Sequence, residues 1–76
     1  MGAEQVTVRI YAETYALRTS EDPAYVEEVA RLVDARMREA AATGKVVATH
    51  KIAVLAALHI ADELLRLRRE SARGRE

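Results

Sequence analysis

Val6, Val8 and Ile10 alternate with Thr7, Arg9 and Tyr11. A period of two in β-branched and aromatic residues predicts a strand over about 5–11 with one apolar face. Tyr15 and Leu17 then alternate with Ala16 and Arg18 across a short connection, Ala12-Glu13-Thr14. Two strands this close pair only as an antiparallel hairpin, spanning about 5–18. Past Ser20 the period changes. Val26, Val29, Ala30, Val33, Met37, Ala40 and Ala41 recur at steps of three and four, the mark of an amphipathic helix over about 22–43. Asp22 is a suitable cap, Pro23 suits the first helical position and Gly44 suits the stop. Glu27/Arg31 and Asp34/Arg38 are acid-first pairs four apart on the polar side.

The last apolar run is the most informative. A second helix is expected from Thr49, as its cap, to about 71, with a fraying tail at 72–76. Val54, Ala57, Leu58, Ala61, Leu64 and Leu65 make one apolar stripe on it. Ile52, Leu55, Ala56, His59, Ile60 and Leu67 make another. One short helix and a hairpin do not cover both stripes. One is expected to face the chain itself and the other a second copy. The architecture predicted is α+β: an antiparallel hairpin followed by two helices, the second longer and forming a dimeric, coiled-coil-like interface.

Size sharpens that expectation. The chain has 76 residues, half of them hydrophobic and about a third charged. That is one domain, and a domain near this size buries only about 60% of its unfolded surface. It has no cysteine to staple a small core. Sharing a core between copies is the remaining route to stability. Twelve basic residues balance twelve acidic ones, so net charge identifies no partner. No basic n-region precedes an apolar segment at the N-terminus, and the longest apolar run, 52–61, is half the length of a membrane span. The expected compartment is the cytoplasm.

Catalytic chemistry is not legible. The two histidines, His50 and His59, are nine apart and lack matching ligands for a metal. His59 on its apolar helix reads as a core or interface histidine, and His50 near the helix start as an exposed one. Asp62 and Glu63 are adjacent and project in different directions. The three glycines are isolated, so no phosphate-cradling loop is present. Neither an enzyme nor a cofactor is expected. Arg66, Arg68, Arg69, Arg73 and Arg75 could contact phosphates, which makes a nucleic-acid-binding dimer an alternative. The intervening acids and the absence of aromatic residues among these arginines disfavour it. A generic dimerisation module is the other alternative.

Three stretches, VTVRIYAETYALR (6–18), EDPAYVEEVARLVDARMREAA (21–41) and IAVLAALHIADELLRLRRE (52–70), resemble the ZapA family of bacterial cell-division proteins. AVLAALHIADEL is similar to the family's helix-two core, with His59 where the family has Asn, and LVDARMRE (32–39) to its helix-one pattern. The resemblance implies a non-enzymatic protein that binds the tubulin-like GTPase FtsZ at the mid-cell division site. It implies cross-linking of FtsZ protofilaments by paired heads, in dimers or, through a helix extension, tetramers. It implies no cofactor and no membrane partner. The family usually places Gly and a basic residue at the hairpin tip, where this chain has Ala12 and Glu13. Candidate FtsZ contacts are Arg9, Glu13, Arg18, Lys45 and His50. Candidate dimer residues are Met37, Ile52, Leu55, Leu58, His59 and Leu65.

Overall fold

The computed structural model describes residues 3–45 and 48–74. Strand β1 (Glu4–Ile10) pairs antiparallel with β2 (Glu13–Thr19), and helices α1 (Pro23–Ala41) and α2 (Thr49–Gly74) follow. The hairpin register sets Val6 opposite Leu17 and Val8 opposite Tyr15, so these four side chains share a face.

The turn is tighter than the expected three-residue connection. Only Tyr11 and Ala12 separate the strands, and both have positive φ, 50° and 68°. Two such residues in succession give a turn whose twist matches that of the paired strands. Glycine and asparagine occupy this conformation most easily. Alanine and tyrosine adopt it at a cost of about 1–2 kcal/mol each.

α1 starts as its sequence predicts. The Asp22 carboxylate accepts from the backbone N–H of Ala24 at 3.1 Å, and Pro23 takes the first helical position. The helix stops at Ala41, two residues before the expected limit. There the Thr43 hydroxyl donates to the Ala40 carbonyl at 2.9 Å and competes with helix continuation. Gly44, at φ 74°, turns the chain away. α2 begins differently from expectation. Thr49 is its first residue, and the carbonyl of Ala48 accepts from Lys51 and Ile52 at 3.1 and 3.0 Å. α2 also continues to Gly74 rather than ending near 71. Ala72 and Arg73 are good helix formers, and no breaker precedes that glycine.

Two small clusters hold the elements together. Val6 and Val8 pack on Ala30, with Ile10 and Val26 beside them. Met37 and Ala40 of α1 meet Ile52 and Ala56 of α2, with Ile10, Tyr11, Val33, Ala41 and Leu55 around them. Alanine at 40 and 56 lets the two helix backbones approach closely near their connection. Farther along, Arg36 spans the gap with a two-pronged contact to Glu63, at 3.2 and 3.0 Å. Val6, Val8, Ala30, Met37, Ala40, Ile52 and Ala56 are the whole buried core among the described residues. The molecule measures 41 × 41 × 14 Å, a plate little thicker than one helix.

Two outcomes follow. Ala12→Gly relieves one strained φ and should raise stability by about 0.5–1 kcal/mol, after allowing for glycine's freer unfolded state. A thermal melt at fixed chain concentration reads this as a higher Tm; an unchanged or lower Tm contradicts the turn geometry. Ile52, only 1% exposed, is the side chain on which both helices close. Ile52→Ala should cost about 2–5 kcal/mol in a denaturant titration.

Candidate functional site

The hairpin tip is fastened to α1 by one carboxylate. The backbone N–H of Tyr11, in the strained turn, donates to Asp34 Oδ1 at 2.7 Å. The other oxygen, Oδ2, accepts from Arg38 Nε at 2.8 Å, the expected pair four apart. The Arg38 guanidinium lies 6.0 Å from the centre of the Tyr11 ring. Arg38, and then the Tyr11 amide, hold the Asp34 carboxyl below its ordinary value of 3.8. This tie steadies a turn that its own residues disfavour. Sequence reading reduced Asp34 to a surface ion pair, because its second partner is 23 residues away and is a backbone group with no sequence signal.

The candidate contact residues divide between two faces of the hairpin. Arg9 stands opposite Thr14, and Arg18 opposite Gln5. Both belong to the face turned away from α1, about 13 Å apart along the strands at the usual rise per residue. Glu13, opposite Ile10, belongs to the other face, which it shares with Tyr15 and Leu17. Lys45 is exposed in the connection between the helices, and His50 is exposed on the first turn of α2. These five residues therefore do not form one patch.

The candidate dimer residues also separate. Met37 and Ile52 are buried within the chain, their apolar surface already spent on each other's helix. Leu55 is half-buried beside them. Leu58 and Leu65 are exposed, at 59% and 51%. His59 is exposed too, so it is not a core histidine of the single chain. The two stripes of α2 thus have different surroundings. Ile52 and Ala56 are buried against α1, while Val54, Leu58, Leu64 and Leu65 face outward with no cover among the described residues.

Other bare apolar surface was not foreseen. Tyr15 and Leu17 on β2 are exposed, as are Tyr25, Val29 and Leu32 along α1. Val29 is on the expected apolar stripe of α1, but the hairpin is too narrow to reach it. The alternation in β2 carried the signal that Tyr15 and Leu17 share a face; nothing in it told that α1 would lie under β1 alone.

Asp62 and Glu63 serve different partners, Arg66 at 2.9 Å and Arg36. Arg66, Arg68, Arg69 and Arg73 are exposed along the end of α2, and Arg75 lies outside the described residues. Among the described residues no group of three or more His, Asp or Glu side chains is arranged to hold a metal ion. No described helix is long and apolar enough to cross a membrane.

A hairpin followed by two helices is also the fold of solved proteins of similar sequence. Residues 6–76 match the family model described as cell division protein ZapA. The chain belongs to the ZapA family. It is 43% identical over 67 residues to the cell division protein ZapA of Shouchella clausii, covering 88% of this chain and 86% of that one. The ZapA of Pseudomonas aeruginosa is 40% identical, with 93% and 73% covered. Among solved structures, a ZapA mutant dimer from Geobacillus stearothermophilus superimposes with a TM-score of 0.75 at 37% identity, covering 99% of this chain and 87% of that one. A conserved bacterial protein of unknown function from Pseudomonas aeruginosa gives a TM-score of 0.76 at 38% identity.

The tie between the hairpin turn and α1 is favoured by the ionised form of Asp34. A depressed carboxyl pKa contributes stability above the unfolded pKa and loses it as pH falls through the folded one. The contribution is therefore constant at neutral pH and is lost only as pH falls below the ordinary value of 3.8 and through the depressed one. Carboxyl-detected NMR should show Asp34 titrating below the ordinary aspartate range. Asp34→Asn should lower Tm at pH 7 and flatten its decline in acid. An ordinary titration at Asp34 contradicts the tie.

Proposed function

We propose that this ZapA-family chain is a non-enzymatic cross-linker of FtsZ protofilaments, acting as a homodimer at the mid-cell division site. Membership of a cell-division family supports the setting. The observation that carries the mechanism is the uncovered outer stripe of α2, Val54, Leu58, Leu64 and Leu65, in a chain with a solved relative that is a dimer. Pairing along that stripe places two heads in one particle. Each head offers a hairpin face with Arg9 and Arg18, and a tip with Glu13. One weak contact per head becomes a strong bridge when two filaments lie side by side, because the second contact forms at high effective concentration. A monomer binds and does not bridge. The same logic extends to a dimer of dimers, which doubles the heads.

Glu13 distinguishes this head from the family's usual basic tip. Opposite Ile10 at the end of β2, it is exposed and places a negative charge where the family usually carries a positive one. Exposed charge contacts weaken with salt, so bundling should fall as ionic strength rises.

Co-sedimentation and light scattering with FtsZ and GTP test this reading. Wild-type protein should pellet with filaments and raise scattering. Leu58→Glu puts a charge on a side chain that is exposed in the single chain, so the fold should survive. In the dimer the same charge is buried and unpaired, a penalty of several kcal/mol. The variant should therefore be monomeric and should bind without bundling. Retained bundling by a demonstrated monomer contradicts the mechanism, and so does a wild-type oligomer that leaves the filaments in the supernatant.

A further inference from the structure

The turn fixes which backbone groups of the hairpin stay open. A two-residue connection at Tyr11 and Ala12 makes Ile10 and Glu13 the pair that exchanges both backbone hydrogen bonds. Alternation along the ladder repeats this at Val8 with Tyr15 and at Val6 with Leu17. Gln5, Thr7 and Arg9 therefore turn their backbone N–H and C=O groups away from β2, toward the free edge of β1. Tyr11 is next in that row, and its N–H is taken by Asp34 Oδ1 at 2.7 Å. Thr7 and Arg9, both exposed, have no such acceptor among the described residues. A row of open backbone groups on an exposed strand is a template for one more strand.

A groove of about 210 Å³ lies beside this edge. Thr7, Val8 and Arg9 form one wall, and Glu27, Ala30 and Arg31 of α1 form the other. Ala30 is buried and too small to fill the space below the edge. A strand added here sends alternate side chains down into that space. Charge narrows the choice of strand. Asp34 and Arg38 form the ion pair that their spacing allows, but Glu27 and Arg31, at the same spacing, do not. Arg9 and Arg31 have no salt-bridge partner among the described residues. Two arginines against Glu27 leave the groove net positive. By the helical period, Glu27 and Arg31 are on the side of α1 away from Met37 and Ala40, which meet α2. This edge and the outer stripe of α2 are therefore separate surfaces.

We propose that the free edge of β1 takes an extended acidic segment of a partner protein as a third strand. Its backbone bonds to Gln5, Thr7 and Arg9, its carboxylates meet Arg9 and Arg31, and an apolar side chain enters the groove over Ala30. In this mode main-chain hydrogen bonds supply the affinity, and the groove and its charges select the sequence. The proposal goes beyond filament cross-linking and does not rest on it.

Hydrogen exchange at single amides tests this, read by NMR on the full chain. The probe is a capped heptapeptide of alternating glutamate and valine. On its addition the Thr7 and Arg9 amides should exchange about tenfold or more slowly, because each gains an acceptor. The Val6 and Val8 amides, already bonded to β2, should change less. The same peptide N-methylated at every residue has no backbone donors and should not bind. A version with lysine in place of glutamate should bind about tenfold more weakly, since each exposed charge contact is lost or reversed. The double substitution Arg9→Glu with Arg31→Glu should weaken the glutamate peptide to a similar degree. Both arginines are exposed, so that variant should keep its fold, which circular dichroism checks. Absence of glutamate-peptide binding at millimolar concentration overturns the proposal, as does equal binding by the N-methylated peptide. Binding that leaves the Thr7 and Arg9 amides unprotected places the peptide elsewhere and overturns it too. So does protection of these two amides in the protein alone that rises with its concentration, since a second copy would then be the occupant. FtsZ is absent throughout, so a protein that binds the peptide and fails to bundle filaments loses the proposed cross-linking and keeps this inference.

Discussion

α2 carries apolar side chains on two opposite sides, and among the described residues there is one other helix to cover it. α1 covers Ile52 and Ala56, and no described element covers Val54, Leu58, Leu64 or Leu65. A plate 14 Å thick gives most side chains no second layer to meet. The hydrophobic effect scales with apolar area removed from water, at roughly 25 cal/mol per Å². The single chain leaves much of that area unspent on Tyr15, Leu17 and the outer stripe of α2. That bare area is what the proposed self-association would cover.

The small residues matter as much as the large ones. Ala30 under the hairpin and Ala40 and Ala56 between the helices let backbones come close, so Val6, Val8, Met37 and Ile52 suffice to fill the space. The polar ties act where that apolar contact ends. Arg36 joins Glu63 beyond the close part of the helix pair. Asp34 holds the hairpin turn at a position where Tyr11 and Ala12 are conformationally disfavoured. Hairpin and helices are thereby fixed relative to each other.

Much of this was legible in sequence because periodicity reports burial directly. The alternation at 6–10 placed Val6 and Val8 on one face, and the two stripes on α2 announced that one side would lack an intrachain partner. Asp22 and Pro23 marked the start of α1 by a local mechanism. What periodicity could not reveal was which stripe faced which partner. Ile52, Leu58 and Leu65 are equally apolar, so residues buried within the chain and residues exposed on it stand in one candidate set. The two-residue turn was missed because Tyr-Ala carries no glycine signal, and a distant carboxylate supports it. The candidate contacts were chosen by charge and chain position, and the strand register then assigned Arg9 and Arg18 to one face and Glu13 to the other.

The most direct test of this account is the mass of the particle in solution, by light scattering in line with sizing chromatography at several loading concentrations. The account predicts twice the 8.4 kDa chain mass, or an even multiple, with dissociation only on strong dilution. A folded, stable monomer at high concentration would contradict it, because the outer stripe of α2 and the exposed Tyr15 and Leu17 of β2 would then be tolerated bare.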